Sequence, residues 1–150
     1  MKRRSGRFEK IVTLAAAAER SESVALGRAR RALDEAVDRL GELERYRHEY
    51  AAGQRPGDEV SAVRWADFQA FLGRLDEAVN TQRQVIRDGE QSVDRHRRRW
   101  MIQRTRLDSL YRVLDGYRLK ERLAAERRQQ RALDDRSPVP DLYSREPDSE

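Results

Sequence analysis

One heptad repeat limits what this chain can fold into more than any other feature of its sequence. Between residues 65 and 114, one position in every seven is apolar without exception: Trp65, Leu72, Val79, Ile86, Val93, Trp100, Leu107 and Leu114. No proline occurs between Pro56 and Pro138, so nothing in this stretch breaks a helix. A strict seven-residue apolar repeat is typical of a helix packed in a coiled coil. We therefore predict one long helix over about 61–135.

A second seam of the same kind precedes the first along the chain. Starting from Phe8, positions spaced alternately by four and three are mostly apolar, with an acidic interruption at Glu19 and Glu22. The pattern stops at residues 52–60, where glycine and proline end a helix and turn the chain. The sequence therefore predicts a first helix over about 5–51 and a loop over 52–60.

Two amphipathic helices joined by a short loop fold back on each other. We predict an all-α fold, an antiparallel coiled-coil hairpin that forms a rod over 1–136. A hairpin centred near residue 56 pairs Leu33 with Val79 and sets Glu22 opposite Gly89. In this pairing the N-terminal start of the first helix lies opposite about residue 107 of the second helix. The seam beyond that point is left with no partner from within the chain, so it either binds another protein or frays: Leu107, Leu110, Leu114 and Tyr117.

Composition restricts the function classes. Charged residues are 39% of the chain and apolar residues 37%, a balance that suits long helices or disorder, and the periodicity favours helices. The chain has no cysteine, which excludes disulfides and thiolate metal sites. A two-helix rod encloses no dry pocket, so we predict no enzyme activity, cofactor, metal or small-molecule substrate. Residues 137–150 are acidic and rich in proline, and we predict a disordered tail.

A group of apolar and aromatic residues near the loop is the first candidate binding site. Its six members are spaced along one face of each helix, and we call them the aromatic face: Leu43, Tyr46, Tyr50, Phe71, Leu75 and Ala78. Exposed aromatic side chains on a rigid scaffold are typical anchors of protein interfaces. Leu43, Tyr50 and Leu75 also fit the seam, so the interpretation as binding residues depends most on Tyr46 and Phe71.

A basic stretch is the second candidate. Residues 92–136 carry 14 basic residues against 7 acidic ones, a charge that attracts an acidic protein, nucleic acid or an anionic membrane. The aromatic interleaving typical of a base-stacking surface is absent, which disfavours nucleic acid against an acidic protein. A solvated face remains open, as do two other functions: a coiled coil that binds nucleic acid or anionic membrane through residues 95–118, and a homo-oligomeric scaffold.

The stretch around the loop also carries a recognisable string of residues. It reads Leu-x-x-Tyr-x-x-x-Tyr from Leu43, then a loop, then Arg-Trp-x-x-Phe-Gln-x-Phe from Arg64. In this string, and in the basic second helix that contains Trp100, the sequence resembles the FliJ family of the flagellar type III export apparatus. The resemblance implies an antiparallel coiled coil like the stalk subunit of rotary ATPases.

The resemblance also implies partners and a location. It implies a non-catalytic cytoplasmic stalk that associates peripherally with the inner membrane at the flagellar base. Such a stalk inserts into the hexameric export ATPase and stimulates it, docks on the export-gate membrane protein, and takes part in handling substrate chaperones. The aromatic face matches the gate-binding face. The end of the second helix that extends beyond the first is the natural candidate for the ATPase ring, and we call it the arginine segment: Arg104, Arg106, Leu107, Leu110, Arg112, Leu114, Tyr117 and Arg118.

Overall fold

The computed structural model describes residues 3–53 and 61–136. Two α-helices account for nearly all of them, α1 over Arg4–Ala52 and α2 over Ala62–Arg136, and these described ranges contain no strand. Most of the expected loop at 52–60 and all of the expected tail at 137–150 lie outside the described residues.

The sequence beside the loop accounts for the start of α2 and the end of α1. The hydroxyl of Ser61 accepts a hydrogen bond from the backbone N–H of Arg64 at 3.3 Å, as expected of an N-cap residue. At the end of α1, the backbone N–H of Gly53 donates to the carbonyl of Glu49 at 3.0 Å. Each bond satisfies a backbone group that the end of a helix would otherwise leave without a partner.

The two helices pack against each other along the heptad seams, which confirms the all-α helical hairpin. After Trp65, every predicted seam position on α2 is buried or half-buried through Tyr117. On α1 the exception is Arg47, which is exposed. The buried apolar core consists of seam residues throughout: Val12, Ala15, Leu26, Ala36, Phe68, Leu75, Val79, Val93, Leu107 and Leu114.

The chain divides into two compact units. The loop unit comprises Leu14–Leu107, and the terminal unit comprises Met1–Thr13 together with Asp108–Glu150. Within the loop unit, seam side chains of α2 donate hydrogen bonds to α1. The side-chain amide of Gln82 donates to the carbonyl of Ala36 at 2.9 Å, and the indole N–H of Trp100 donates to Glu19 at 2.8 Å. The acidic interruption of the first seam therefore has a partner at Glu19.

The predicted register of the hairpin is wrong by more than one heptad. Leu33 was expected opposite Val79, but it contacts Gly89, ten residues farther along α2, where an added Cβ would lie 3.3 Å from the Leu33 Cδ1 atom. The expected pairing of Glu22 with Gly89 is wrong for the same reason. A heptad pattern looks the same after a shift of seven residues, so the period alone cannot set the register. The fit of Leu33 over a residue without a side chain helps to set it.

The prediction of a seam without a partner is also wrong. Leu107 and Leu114 are each only 3% exposed, Leu110 is half-buried, and Tyr117 packs edge to face on Phe8 with ring centroids 5.5 Å apart. The shifted register explains the error, because it places the start of α1 against a later part of α2 than the hairpin centred on residue 56 did.

A carboxylate fixes the start of α1 within the terminal unit. Glu121 accepts one hydrogen bond from the Ser5 hydroxyl at 2.6 Å and another from the Ser5 backbone N–H at 3.1 Å. The second bond satisfies one of the free N–H groups in the first turn of α1. Both bonds favour the ionised carboxylate, so the side-chain bond first and the backbone bond second lower the pKa of Glu121 below its ordinary value.

The Glu121→Gln variant is expected to have a lower melting temperature than the parent at about pH 7, with the difference shrinking as the pH falls. A carboxylate with a lowered pKa in the folded state adds stability above its unfolded pKa of about 4.3, and loses it as the pH falls through the folded pKa. Melting curves followed by circular dichroism between about pH 7 and pH 3 measure this. Glu126→Gln, an exposed change on the same helix, is the control. A difference that does not depend on pH would contradict the role of the ionised carboxylate.

Candidate functional site

Five aromatic rings form a continuous series in the loop unit. Tyr46 meets Phe71 edge to face at 6.2 Å, and Tyr50 lies 4.5 Å from Phe71 and stacks on Phe68 at 5.1 Å between ring centroids. Trp65 then stacks on Phe68 at 5.6 Å. The first four rings alternate between the two helices, and Trp65 lies on α2 like Phe68, so the series joins α1 to α2 near the loop.

Exposure along the series is greatest at its two ends. Tyr46 is 51% exposed and Trp65 is 50% exposed, whereas Phe68 is only 7% exposed. Tyr50 and Phe71 are half-buried. The inner rings therefore hold the outer ones in place, and the outer ones present large apolar surfaces to solvent. A pre-organised aromatic residue of this kind loses little conformational entropy when it binds a partner.

The structure brings the predicted aromatic face together only in part. Phe71 contacts the rings of both Tyr46 and Tyr50, and Leu43 and Ala78 are half-buried. Leu75 is buried in the core, so it offers a partner almost no surface of its own.

Charged side chains pair along the same stretch of the two helices. Arg47 pairs with Asp76 across the helices, Arg83 pairs with Glu44 at 3.3 Å, and the Arg74 guanidinium lies 5.7 Å from the centroid of Phe71. The side-chain hydrogen bond with Asp76, and then the charge of Asp76, raise the pKa of Arg47. The Arg74 guanidinium therefore places a charged group beside the apolar rings of the face, as at the polar rim of a protein interface.

Sequence reasoning did not identify Trp65 and Arg74 as part of this site. Trp65 was assigned to the seam because it fits the heptad, yet its indole is half-exposed and stacks on Phe68 of its own helix. Its position in the first turn of α2, beside the loop, was the signal that it could stay exposed. Arg74 follows Phe71 by three residues, a spacing that brings two side chains together on one helix, and this spacing was the signal that could have identified it.

The members of the arginine segment divide between the two units. In the loop unit, Arg104 and Arg106 are exposed, and in the terminal unit Arg112 and Arg118 are exposed. Arg118 pairs with Glu9 at 3.0 Å. The apolar members are part of the core, as described above. The exposed functional groups of this segment are therefore guanidinium groups, which bind carboxylates and phosphates.

The described residues form neither a metal site nor a membrane-spanning helix. Within 3–53 and 61–136, no three His, Asp or Glu side chains are close enough to form a metal site. Neither α1 nor α2 contains a stretch that is long and apolar enough to cross a membrane.

Comparison with known proteins gives two findings. Residues 4–138 match the family model described as "Flagellar FliJ protein". The chain is also similar to a curated "Flagellar FliJ protein" from Salmonella typhi, with 27% identity over 112 residues, which cover 73% of this chain and 76% of the relative. The family match spans both helices.

Proposed function

This chain belongs to the FliJ family of flagellar proteins, and we propose that it acts as a non-catalytic stalk and adaptor of the flagellar type III export apparatus. The observation that carries the proposal is the aromatic series, whose two end rings are about half exposed on a coiled-coil scaffold. The chain offers a rigid docking surface at one place and a dense set of guanidinium groups at another.

In this proposal the aromatic face docks on the export-gate membrane protein. Tyr46 and Phe71 are the anchors, because they lie in contact with each other and retain exposed surface. The exposed arginines of the arginine segment bind acidic residues in the pore of the hexameric export ATPase, and binding stimulates ATP hydrolysis. The protein is then cytoplasmic, is held at the inner membrane by its partners, and takes part in handling substrate chaperones.

The Arg106→Glu/Arg112→Glu variant is expected to stimulate the export ATPase with an apparent affinity at least about tenfold weaker than the parent. Both side chains are exposed, so charge reversal turns attraction to an acidic pore into repulsion without disturbing the core. The measurement is ATP hydrolysis by the purified ATPase, with the concentration of this protein varied.

Arg20→Glu/Arg30→Glu is the matched control, since it makes the same change of charge at exposed positions on α1. It is expected to stimulate like the parent. If the parent itself neither stimulates nor co-sediments with the ATPase, the stalk function is wrong. Steep salt-dependent binding of the parent to DNA or anionic vesicles would then favour the alternative of a basic coiled coil that acts through residues 95–118.

A further inference from the structure

A cleft of about 710 Å³ opens on the surface of the terminal unit. Its lining includes the methyl groups of Ala124 and Ala125, which supply apolar surface. Four arginines line the same cleft: Arg3, Arg118, Arg122 and Arg128. Arginines beside a small apolar surface suit an acidic peptide that also carries apolar side chains.

Most of the acidic charge in the cleft is already engaged. Glu121 accepts the two hydrogen bonds from Ser5, and Glu9 pairs with Arg118 at 3.0 Å. Asp115 is the remaining carboxylate of the lining. The carboxylates of the cleft therefore do not neutralise all of its arginines.

Two of the arginines keep guanidinium groups available for a ligand. Among the described residues, neither Arg122 nor Arg128 forms an ion pair with a carboxylate. Arg128 donates its Nε–H to the carbonyl of Ala124 at 3.4 Å, which leaves its terminal N–H groups for other acceptors. Both side chains are exposed. The cleft thus presents two fork-shaped donors that fit carboxylates.

The sequence that follows α2 carries the complementary chemistry. Residues 137–150 contain four acidic residues and one basic residue, together with Leu142 and Tyr143. Arg128 lies eight residues before the end of α2, which is about 12 Å along a helix. The five residues from 137 to Asp141 span up to about 17 Å when extended. Asp141 and the residues after it are therefore within reach of the cleft.

We propose that the acidic segment 137–150 binds in this cleft of its own chain, with its carboxylates on Arg122 and Arg128 and an apolar side chain against the alanines. A short tether gives an effective concentration on the order of millimolar. A site that binds a separate peptide too weakly to be filled is therefore filled when the same segment is tethered to the chain. Charge-assisted bonds between arginine and carboxylate supply the attraction.

One consequence of this contact rests on the proposed function. If the terminal unit also takes part in binding the acidic pore of the export ATPase, the segment competes with the ring for guanidinium groups. Binding to the ring must then displace it. Removal of residues 137–150 is expected to tighten ring binding by about two- to tenfold, because the competing bound state is lost.

The contact can be tested without any partner protein. The chain has no cysteine, so a single Gln129→Cys change at an exposed position beside the cleft accepts one bimane dye. Tyr143→Trp adds a contact quencher of bimane to the segment, and Tyr143→Phe is the matched reference. At about 0.1 M salt the Trp version is expected to be roughly half as bright as the Phe version or dimmer. At about 1 M salt, where the screening length falls to about 3 Å, the difference is expected to disappear.

Charge reversal locates the contact. Arg122→Glu/Arg128→Glu is expected to abolish the quenching, whereas Arg97→Glu/Arg99→Glu, the same change at exposed positions of the loop unit, is expected to preserve it. Circular dichroism checks that both variants remain helical. Equal brightness of the Trp and Phe versions overturns the proposal, as does quenching that survives the cleft variant or grows with protein concentration. The export ATPase is absent from this assay, so failure of the stalk function would leave its result unchanged.

Discussion

Replacing Leu114 by alanine is expected to lower the free energy of unfolding by about 2–4 kcal/mol. The side chain is 3% exposed in the terminal unit, and its removal loses apolar burial and leaves a cavity. The effect is large for this fold, because a two-helix hairpin has few fully covered positions over which to spread the loss. Urea unfolding followed by circular dichroism measures it, provided that the dependence on urea concentration is unchanged.

Leu123→Ala is the matched control for this prediction. It makes the same chemical change on the same helix at a leucine that is 44% exposed, so a loss below about 1 kcal/mol is expected. Equal losses in the two variants would mean that Leu114 is not covered, and would restore the seam without a partner that the sequence alone predicted.

The Tyr46→Ala/Phe71→Ala variant is expected to weaken binding to the cytoplasmic part of the export-gate protein by about 10- to 100-fold or more. The centroids of the two rings are 6.2 Å apart and both rings keep exposed surface, so a partner can bury both at once. Calorimetry or surface plasmon resonance with the purified gate domain gives the dissociation constant. This prediction rests on the proposed docking role of the aromatic face.

Two controls separate a lost anchor from a damaged fold. Tyr111→Ala removes a tyrosine that is 44% exposed in the terminal unit, and it is expected to bind the gate domain like the parent. Loss of the edge-to-face pair costs about 0.5–1.5 kcal/mol in addition to the lost burial of the half-buried Phe71, so melting curves must verify that the double variant stays folded at room temperature. Unchanged affinity in a folded double variant would exclude the aromatic face as the docking site.

The sequence predicts the covered positions of this fold better than it predicts which of them meet. Burial follows the period of the helix, so Val93 and Leu114 could be assigned to the core from spacing alone. Register depends on side-chain volumes across the interface, and the contact of Leu33 with Gly89 is visible only in three dimensions. Trp65 fits the period, but the period does not tell where the facing helix ends.

The same limit applies to the candidate site. The spacing of Tyr46 and Tyr50 indicated an aromatic face, and their ring contacts with Phe71 agree with it. Polar partners followed no pattern in the sequence. The carboxylate of Glu121 and the hydroxyl of Ser5 lie 116 residues apart in the chain, and no local motif connects them.

That separation has a consequence for the order of folding. Contacts near the loop, such as Tyr50 with Phe68, close a short segment, whereas the Ser5–Glu121 hydrogen bonds join residues 116 apart in the chain at a greater entropic cost. Folding therefore propagates from the loop, and the start of α1 is covered last. During synthesis at about 5–20 residues per second, the apolar seam around Val12 stays exposed to solvent on the order of ten seconds before the facing residues of α2 are synthesised. The apolar residues at the start of α1 are thus exposed to unwanted association for longer than those near the loop.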